Sequence, residues 1–192
     1  RGRTLNIPQL FSRRRPPFML KSALASCLLI CAIAIPGGAQ SGGASAGGNW
    51  KQYDYEDKMT AARKVRFELF ADVAERDRPF QARVDLLCEN GKLKASTFSP
   101  GVRLGPPTHP GFFWQPKMEV VVRVNQSHSN HGWNWARNYL AMDKGTTREL
   151  IGAEIFKIEF YGQNGPRIAE FSPAGLDLDR VRKACGITPK KP

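Results

Sequence analysis

The sequence predicts a mainly β fold, an antiparallel β-sandwich with a short C-terminal α-helix. Apolar and polar residues alternate with period two in several short runs, and an Asn-Gly pair separates two of them. Patterns typical of long helices do not intervene between the runs. Strands at this spacing are typical of an antiparallel sandwich or barrel.

The alternating runs define the predicted strands, because a half-buried strand turns every second side chain toward the core. The inward positions are Val65, Phe67 and Leu69; Ala82, Val84, Leu86 and Cys88; Leu93, Ala95 and Thr97; Met118, Val120, Val122 and Val124; Phe156, Ile158 and Phe160. A turn at Asn164-Gly165 is expected to lead into a last strand, Ile168–Phe171.

The pair Asn90-Gly91 is the strongest turn signal. A two-residue type I′ hairpin turn needs positive φ at both central positions, which Asn and Gly tolerate best. We expect this turn to set Cys88 opposite Leu93.

The other segments are less regular. Gly101–Pro116 is rich in Pro and Gly and is expected to be a loop, while Trp133–Ala141 is ambiguous between strand and irregular structure. Thr147–Gly152 is compatible with one helical turn. Asp177–Ala184 is expected to form a short helix, and Asp177 and Asp179 are expected to cap its start, where carboxylates favour the helix dipole.

The N-terminal region has the pattern of a secretory signal. Lys21 is followed by an uncharged run of residues 22–35 and then by Pro36-Gly37-Gly38-Ala39. This run of 14 residues is shorter than the roughly 20 that span a bilayer. Cleavage after Ala39 is the first choice and after Ala46 the second, while an uncleaved anchor and lipid attachment at Cys27 are alternatives.

The predicted organisation follows from this pattern. Residues 1–18 are an upstream extension, 19–39 the signal peptide, 40–49 a flexible Gly/Ser/Ala-rich linker, 50–187 the β-sandwich domain and 188–192 a tail. The mature protein is expected in the periplasm or outside the cell, with no stable membrane span.

The net charge of +12 overstates the basic character of the domain. Six of the 29 basic residues and none of the 17 acidic residues lie in residues 1–39, which leaves a net charge of +6 for the rest. The remaining charges are interspersed rather than gathered in a basic stripe, so nucleic-acid binding is not expected.

The two cysteines beyond the signal, Cys88 and Cys185, are most simply interpreted as one disulfide in an oxidising compartment. Two buried thiols or half of a metal site are the alternatives. Neither cysteine has a neighbouring His or Cys in the sequence, which disfavours metal binding.

Two sets of aromatic residues are candidates for partner binding. Each could stack on a ligand or, alternatively, fill the core. They are Trp133, Trp135 and Tyr139, and Phe112, Phe113 and Trp114 in the predicted loop.

Catalytic residues are not predicted. His128 and His131 are the only closely spaced histidines and lack a third ligand at a recognisable spacing, so we expect a solvated hairpin loop and no metal or other cofactor. Ser172 does not lie in a nucleophile elbow and is expected to end a strand.

Several short motifs occur in a characteristic order along residues 50–186. They are Trp50, Asp57–Thr60, Leu87–Lys92, Val122–Asn125, Gly132–Trp135, Arg148–Leu150, Phe171–Leu176 and Ala184–Cys185. In this order the chain resembles the type VI secretion-associated accessory proteins of the TagO/VasI type. The resemblance implies a β protein of the cell envelope and assigns no catalytic residue.

The sequence therefore predicts an exported, non-enzymatic binding or accessory protein, associated with a type VI secretion apparatus through the resemblance. Its expected partner is an envelope protein or a cell-wall component. A small secreted hydrolase acting on an envelope polymer is the alternative. Carboxylates gathered in a cleft would favour the hydrolase, and an exposed aromatic or apolar patch would favour binding.

Overall fold

A computed structural model describes residues 43–72, 81–109 and 115–190. The predicted extension and signal peptide therefore lie outside the described residues, as do Phe112, Phe113 and Trp114. Within the described residues, no helix is long and apolar enough to cross a membrane.

The described residues form ten strands and two short helices. The strands are β1 (Ala44–Ser45), β2 (Trp50–Glu56), β3 (Arg63–Phe70), β4 (Arg83–Glu89), β5 (Lys92–Ser99), β6 (Lys117–Val124), β7 (Ser127–Ala136), β8 (Tyr139–Ala141), β9 (Phe156–Gly162) and β10 (Gly165–Phe171). The helices are α1 (Lys144–Leu150) and α2 (Leu178–Cys185).

The predicted mainly β, antiparallel fold is confirmed. Among the described residues the strands join in one continuous antiparallel sheet, in the order β1-β2-β3-β4-β5-β8-β7-β6-β9-β10. The short strand β8 makes the sheet continuous, because it pairs with β5 through Leu140 and Phe98 and with β7 through Leu140 and Trp135.

The sheet curls over a single core, which brings distant strands together. The ring of Phe98 on β5 lies 5.1 Å from that of Phe160 on β9 and 6.2 Å from that of Phe171 on β10. At the margin, the Asp72 N–H donates to the carbonyl of Glu170 at 2.8 Å. The core therefore lies inside one folded sheet.

The Asn90-Gly91 turn is confirmed, with φ of 49° and 75° at its two residues. Cys88 pairs with Leu93 in register as expected. The second turn begins one residue earlier than predicted. Because Gly162 pairs with Gly165, the turn residues are Gln163 and Asn164, and Gly165 (φ 107°) begins the next strand.

The predicted disulfide pair is present. Cys88 on β4 and Cys185 at the end of α2 lie with Cα atoms 5.0 Å apart and their sulfur atoms at bonding distance. Both side chains are buried. The cross-link fastens the C-terminal helix to the first hairpin.

Residues 43–49, predicted to be flexible linker, instead pack on the domain. Ala44 and Ser45 pair with β2, and Ala46 is buried. A Cβ atom at Gly47 or Gly48 would collide with the backbone of residues 174–175. Small residues in this segment therefore permit close backbone approach rather than flexibility.

Both helices begin at an aspartate. The Asp143 side chain accepts from the Thr146 N–H at the start of α1, and the Asp177 side chain accepts from the Arg180 N–H at the start of α2. The predicted capping role of Asp177 is confirmed. Helix α1 begins three residues before the predicted helical turn because the cap at Asp143 starts it.

Candidate functional site

The aromatic residues proposed for partner binding occupy different environments. Trp133 is only 1% exposed and its indole N–H donates to Asp143 Oδ2 at 3.2 Å. Trp135 is half-buried and donates to the carbonyl of Gly105 at 3.1 Å. Tyr139 is 42% exposed. Trp133 is therefore a core residue whose ring is closed to a partner, and of these three only Tyr139 offers a largely accessible ring.

The histidine segment is a strand rather than the predicted loop. His128 and His131 both lie on β7, and the hairpin turn lies earlier, at Asn125 and Gln126. The polar composition suggested a loop, but pairing with the apolar strand β6 holds the segment extended. Residues three apart on a strand face opposite sides, so the two imidazoles do not form a pair.

Three polar side chains meet at the start of α1. Ser129 Oγ lies 2.7 Å from His131 Nε2, and His131 Nδ1 lies 3.2 Å from Asp143 Oδ2. Nucleophile, base and orienting carboxylate stand in this order in serine hydrolases. We call Ser129, His131 and Asp143 the Ser-His-Asp cluster.

Local structure explains why these three residues meet. Ser129 and His131 are two residues apart on β7 and so share a face. Asp143 is held by its capping role, in which Oδ1 accepts from the Thr146 N–H at 2.8 Å. The Thr146 hydroxyl donates to Asp143 Oδ2 at 2.6 Å and lies 3.2 Å from His131 Nδ1. The helix cap thus places a carboxylate against the imidazole.

The surroundings of Asp143 lower the pKa of its carboxyl group. Burial would raise its pKa, but hydrogen bonds from the hydroxyl and N–H of Thr146 and from the Trp133 indole, together with His131, hold the pKa below its usual value. The carboxylate is therefore ionised at neutral pH, and it lies 3.2 Å from Nδ1 of His131, whose hydrogen-bond partner is the Thr146 hydroxyl oxygen. In the tautomer that carries its proton on Nδ1, Nε2 is an acceptor for the Ser129 hydroxyl.

Ser129 also lines a groove with a cavity volume of about 860 Å³. The groove lies between the β6–β7 hairpin and the segment that includes the end of α1 and the C-terminal residues. Its lining is largely polar: Val124, Asn125, Gln126, Ser127, His128, Ser129, Glu149, Gly152, Glu154 and Lys190. We call this cavity the polar groove.

The walls of the polar groove are tied together. The Asn125 side-chain oxygen accepts from the N–H groups of Glu154 and Ile155 at 2.9 and 3.0 Å. On the opposite side, Lys190 Nζ lies 2.6 Å from Glu149 Oε1. These contacts join the hairpin tip, the start of β9 and the C-terminal residues, so the groove is preformed.

Two further carboxylates, Glu68 and Asp85, are neighbours across β3 and β4. Each is buried and each is compensated: Arg66 Nη2 lies 2.6 Å from Glu68 Oε1, and Arg83 Nε lies 3.0 Å from Asp85 Oδ2. Burial raises the pKa of Asp85, which Arg83 partly offsets. Neither carboxylate lines the polar groove, so this pair supplies no general acid there.

Exposed apolar side chains gather on the outer face of β6, β9 and β10. Val121 and Ile168 both pair with Glu159 across the strands, and Tyr161 follows on the same face of β9. Tyr161 is 54% and Ile168 63% exposed. We call Val121, Tyr161 and Ile168 the apolar row.

Within the described part of the chain, no group of three or more His, Cys, Asp or Glu residues could hold a metal ion. His109 is instead paired with Glu119 at 2.8 Å. Ser172 follows the end of β10, as expected, and its hydroxyl donates to Asp72 Oδ2 at 2.8 Å.

The Ser-His-Asp cluster was not predicted from the sequence. Ser129 and His131 occupy the Ser-x-His spacing that places two side chains on one face of a strand, which is a usable signal only if the segment is known to be extended. Asp143 lies 12 residues further on and gives no local signal. Only the position of α1 beside β7 reveals the third member.

No family model, curated protein or solved structure matches the chain. The resemblance to type VI secretion-associated accessory proteins therefore stays a prediction.

Proposed function

We propose that this is an exported protein of the cell envelope that binds a polar cell-wall component in the polar groove. The observation that carries the proposal is the groove itself, a preformed cavity within the size range of ligand sites, bounded by the β6–β7 hairpin and the C-terminal residues.

The lining indicates the chemistry of the ligand. Hydroxyl groups of Ser127 and Ser129 and amide groups of Asn125 and Gln126 offer donors and acceptors to hydroxyl and amide groups. Among the described residues, no Phe, Tyr or Trp side chain lines the groove. This composition favours a hydrated, hydrogen-bonding polymer over an apolar ligand.

The charge of the groove favours a ligand that carries amino groups. Glu149 is paired with Lys190, whereas Glu154 has no ion pair among the described residues. The groove thus retains one uncompensated carboxylate. Peptidoglycan, whose peptides carry amines and whose glycan carries hydroxyls and amides, has the matching chemistry.

Export is part of the proposal and is supported by the tripartite pattern of residues 19–39. The Cys88–Cys185 pair is compatible with an oxidising compartment. The proposed location is the periplasm or the cell exterior.

Sedimentation with purified peptidoglycan sacculi tests the binding. We expect the protein to co-sediment, and Glu154→Lys to weaken binding because it reverses the free charge in the groove. Glu159→Lys is the matched control, since Glu159 is also an exposed carboxylate and lies on the outer face of β9, outside the groove lining. Failure of the unmodified protein to bind, or equal weakening by both variants, would refute the proposal.

Association with a type VI secretion apparatus is the second candidate function. It is supported by the order of motifs along residues 50–186 and by the apolar row, which suits a protein partner. Co-purification of apparatus components with the exported protein, lost on Ile168→Glu and retained on Leu178→Glu, is the expected result, because Leu178 is an exposed apolar residue on α2, outside the apolar row. Retention in both variants would exclude the apolar row as the docking surface.

A further inference from the structure

We propose that Ser129 is a catalytic nucleophile and that the polar groove hydrolyses a carboxylic ester carried by its ligand. This inference rests on the proposed function, because it assigns a reaction to the same groove. It goes beyond the non-enzymatic role that the sequence predicts.

The first support is the geometry of the Ser-His-Asp cluster. The separation of 2.7 Å between Ser129 Oγ and His131 Nε2 is a hydrogen bond, in which the hydroxyl donates when the ring proton is on Nδ1. On the other side of the ring, Nδ1 lies 3.2 Å from both Asp143 Oδ2 and the Thr146 hydroxyl oxygen. A general base within hydrogen-bond reach of the nucleophile, oriented by a third group, is the arrangement that activates serine.

The second support is access. Ser129 is exposed and lines the polar groove, whereas the side chain of His131 is only 21% exposed. The nucleophile therefore faces the ligand while the base lies behind it, against the start of α1. A substrate in the groove would contact the Ser129 hydroxyl, while the imidazole of His131 would stay in contact with Asp143.

Helix capping does not account for the whole cluster. Capping explains the contacts between Asp143 and the Thr146 N–H, which would exist without a histidine nearby. It gives no reason for a hydroxyl at Ser129 to point at the free nitrogen of the same ring that touches the cap. The hydrogen bond from Ser129 is thus an independent observation, and it occurs on the side that faces the groove.

The reaction balances with water as the only co-reactant. Ser129 Oγ attacks the ester carbonyl carbon and its proton passes to His131 Nε2, while the carbonyl π electrons move to oxygen. Collapse of this intermediate breaks the bond to the alcohol oxygen, which leaves with the proton from His131. Water then attacks the acyl-Ser129 carbonyl, gives a proton to His131 and releases the acid as Ser129 regains a proton.

An ester is the substrate class that suits this site. The oxygen of an alcohol leaves more readily than the nitrogen of an amine, so His131 as the single proton donor is sufficient for an ester. Asp143 touches the imidazole and not the substrate, which makes it a positioning residue. The polar lining favours an ester of a polar alcohol, such as an acylated glycan.

The test uses a fluorophosphonate probe for covalent labelling and p-nitrophenyl acetate for turnover, both on the exported protein. We expect one label per chain, located at Ser129 by peptide mass spectrometry. Ser129→Ala and His131→Ala should lower labelling to background and turnover by about 100-fold or more. Asn130→Ala is the matched control, because Asn130 is exposed on the opposite face of β7 and outside the groove lining.

Asp143→Asn tests the positioning role while keeping a side chain that caps a helix equally well. We expect slower turnover and a changed dependence of the turnover rate on pH, together with a lower thermal midpoint because Trp133 and Thr146 lose a shared acceptor oxygen. A variant that altered only folding would leave the pH profile as it was. An unchanged rate and profile would remove Asp143 from the proposal.

The outcome for the nucleophile is separable from that for binding. Binding of Ser129→Ala to sacculi, with no labelling, supports both proposals. If the unmodified protein binds sacculi but is not labelled by the fluorophosphonate and does not turn over the ester, only the assignment of Ser129 as a nucleophile is refuted. Labelling at another residue, or labelling that survives Ser129→Ala, overturns the catalytic assignment.

Discussion

Removing the link between Cys88 and Cys185 should destabilise the protein by about 2–5 kcal/mol. The two cysteines are 97 residues apart, and closing a loop of that length lowers the entropy of the unfolded chain by an amount equivalent to about 4.7 kcal/mol on the chain-entropy model. Measured effects are usually smaller, because unfolded chains retain structure and the native state relaxes.

The surroundings of the pair decide which substitution isolates this effect. Both cysteines are buried, so a serine would place a hydroxyl where water cannot reach it and add about 1–3 kcal/mol if that hydroxyl finds no partner. Alanine avoids this second effect. Val181 and Ile187, also buried, still hold the C-terminal segment to the core, so we expect a loosened helix rather than loss of the sheet.

Urea unfolding of the exported protein, followed by circular dichroism, measures the change in free energy. Cys185→Ala, Cys88→Ala and the double variant should lose similar amounts, because all three break the same link. Mass spectrometry of unreduced peptides should show Cys88 joined to Cys185. Free thiols at both positions, or losses in the double variant equal to the sum of the single losses, would refute the cross-link.

Three further predictions concern other parts of the chain. N-terminal sequencing of the exported protein should begin at Gln40 or Ser41, and a lipid-modified cysteine at the terminus would contradict this. The pKa of Asp57 is lowered to about 2 by hydrogen bonds, first from Lys64. The contribution of Asp57 to folding stability is therefore present above about pH 4 and is lost as the pH falls through about 2. The thermal midpoint of Asp57→Asn should therefore fall less between pH 5 and pH 2 than that of the unmodified protein. An equal fall in both proteins would contradict the lowered pKa of Asp57. Trp50→Phe should cost about 1–3 kcal/mol in denaturant unfolding, because the buried indole N–H donates to a backbone carbonyl at 2.9 Å, and a cost near zero would show that the bond adds no stability.

Much of the fold follows from local patterns. Period-two alternation places the strands around Phe67, Leu86 and Val122 with the expected faces inward, since these side chains are buried. The Asn90-Gly91 turn and the Asp177 cap were also predictable, because each depends on the chemistry of adjacent residues. Such features need no knowledge of distant segments.

The errors share a different cause. The segment His128–His131 looked like a loop because its composition is polar, yet it pairs with β6 along its whole length. Residues 43–49 looked flexible, yet Ala46 is buried against the domain. In the first case the partner is the preceding strand of the same hairpin, and in the second case it is residues 174–177, far away in the sequence. The composition of a segment carries no record of the partner with which it pairs or packs.

The candidate site shows the same division. By itself the sequence determined the two-residue spacing that places Ser129 and His131 on one face of an extended segment, and it supplied at position 143 an aspartate able to cap a helix. Only the tertiary structure decided that this cap lies against that strand and that a groove opens beside Ser129. Side-chain period and capping are local properties of the chain, whereas the meeting of the three side chains depends on how the sheet curls, which the packing of the whole core decides.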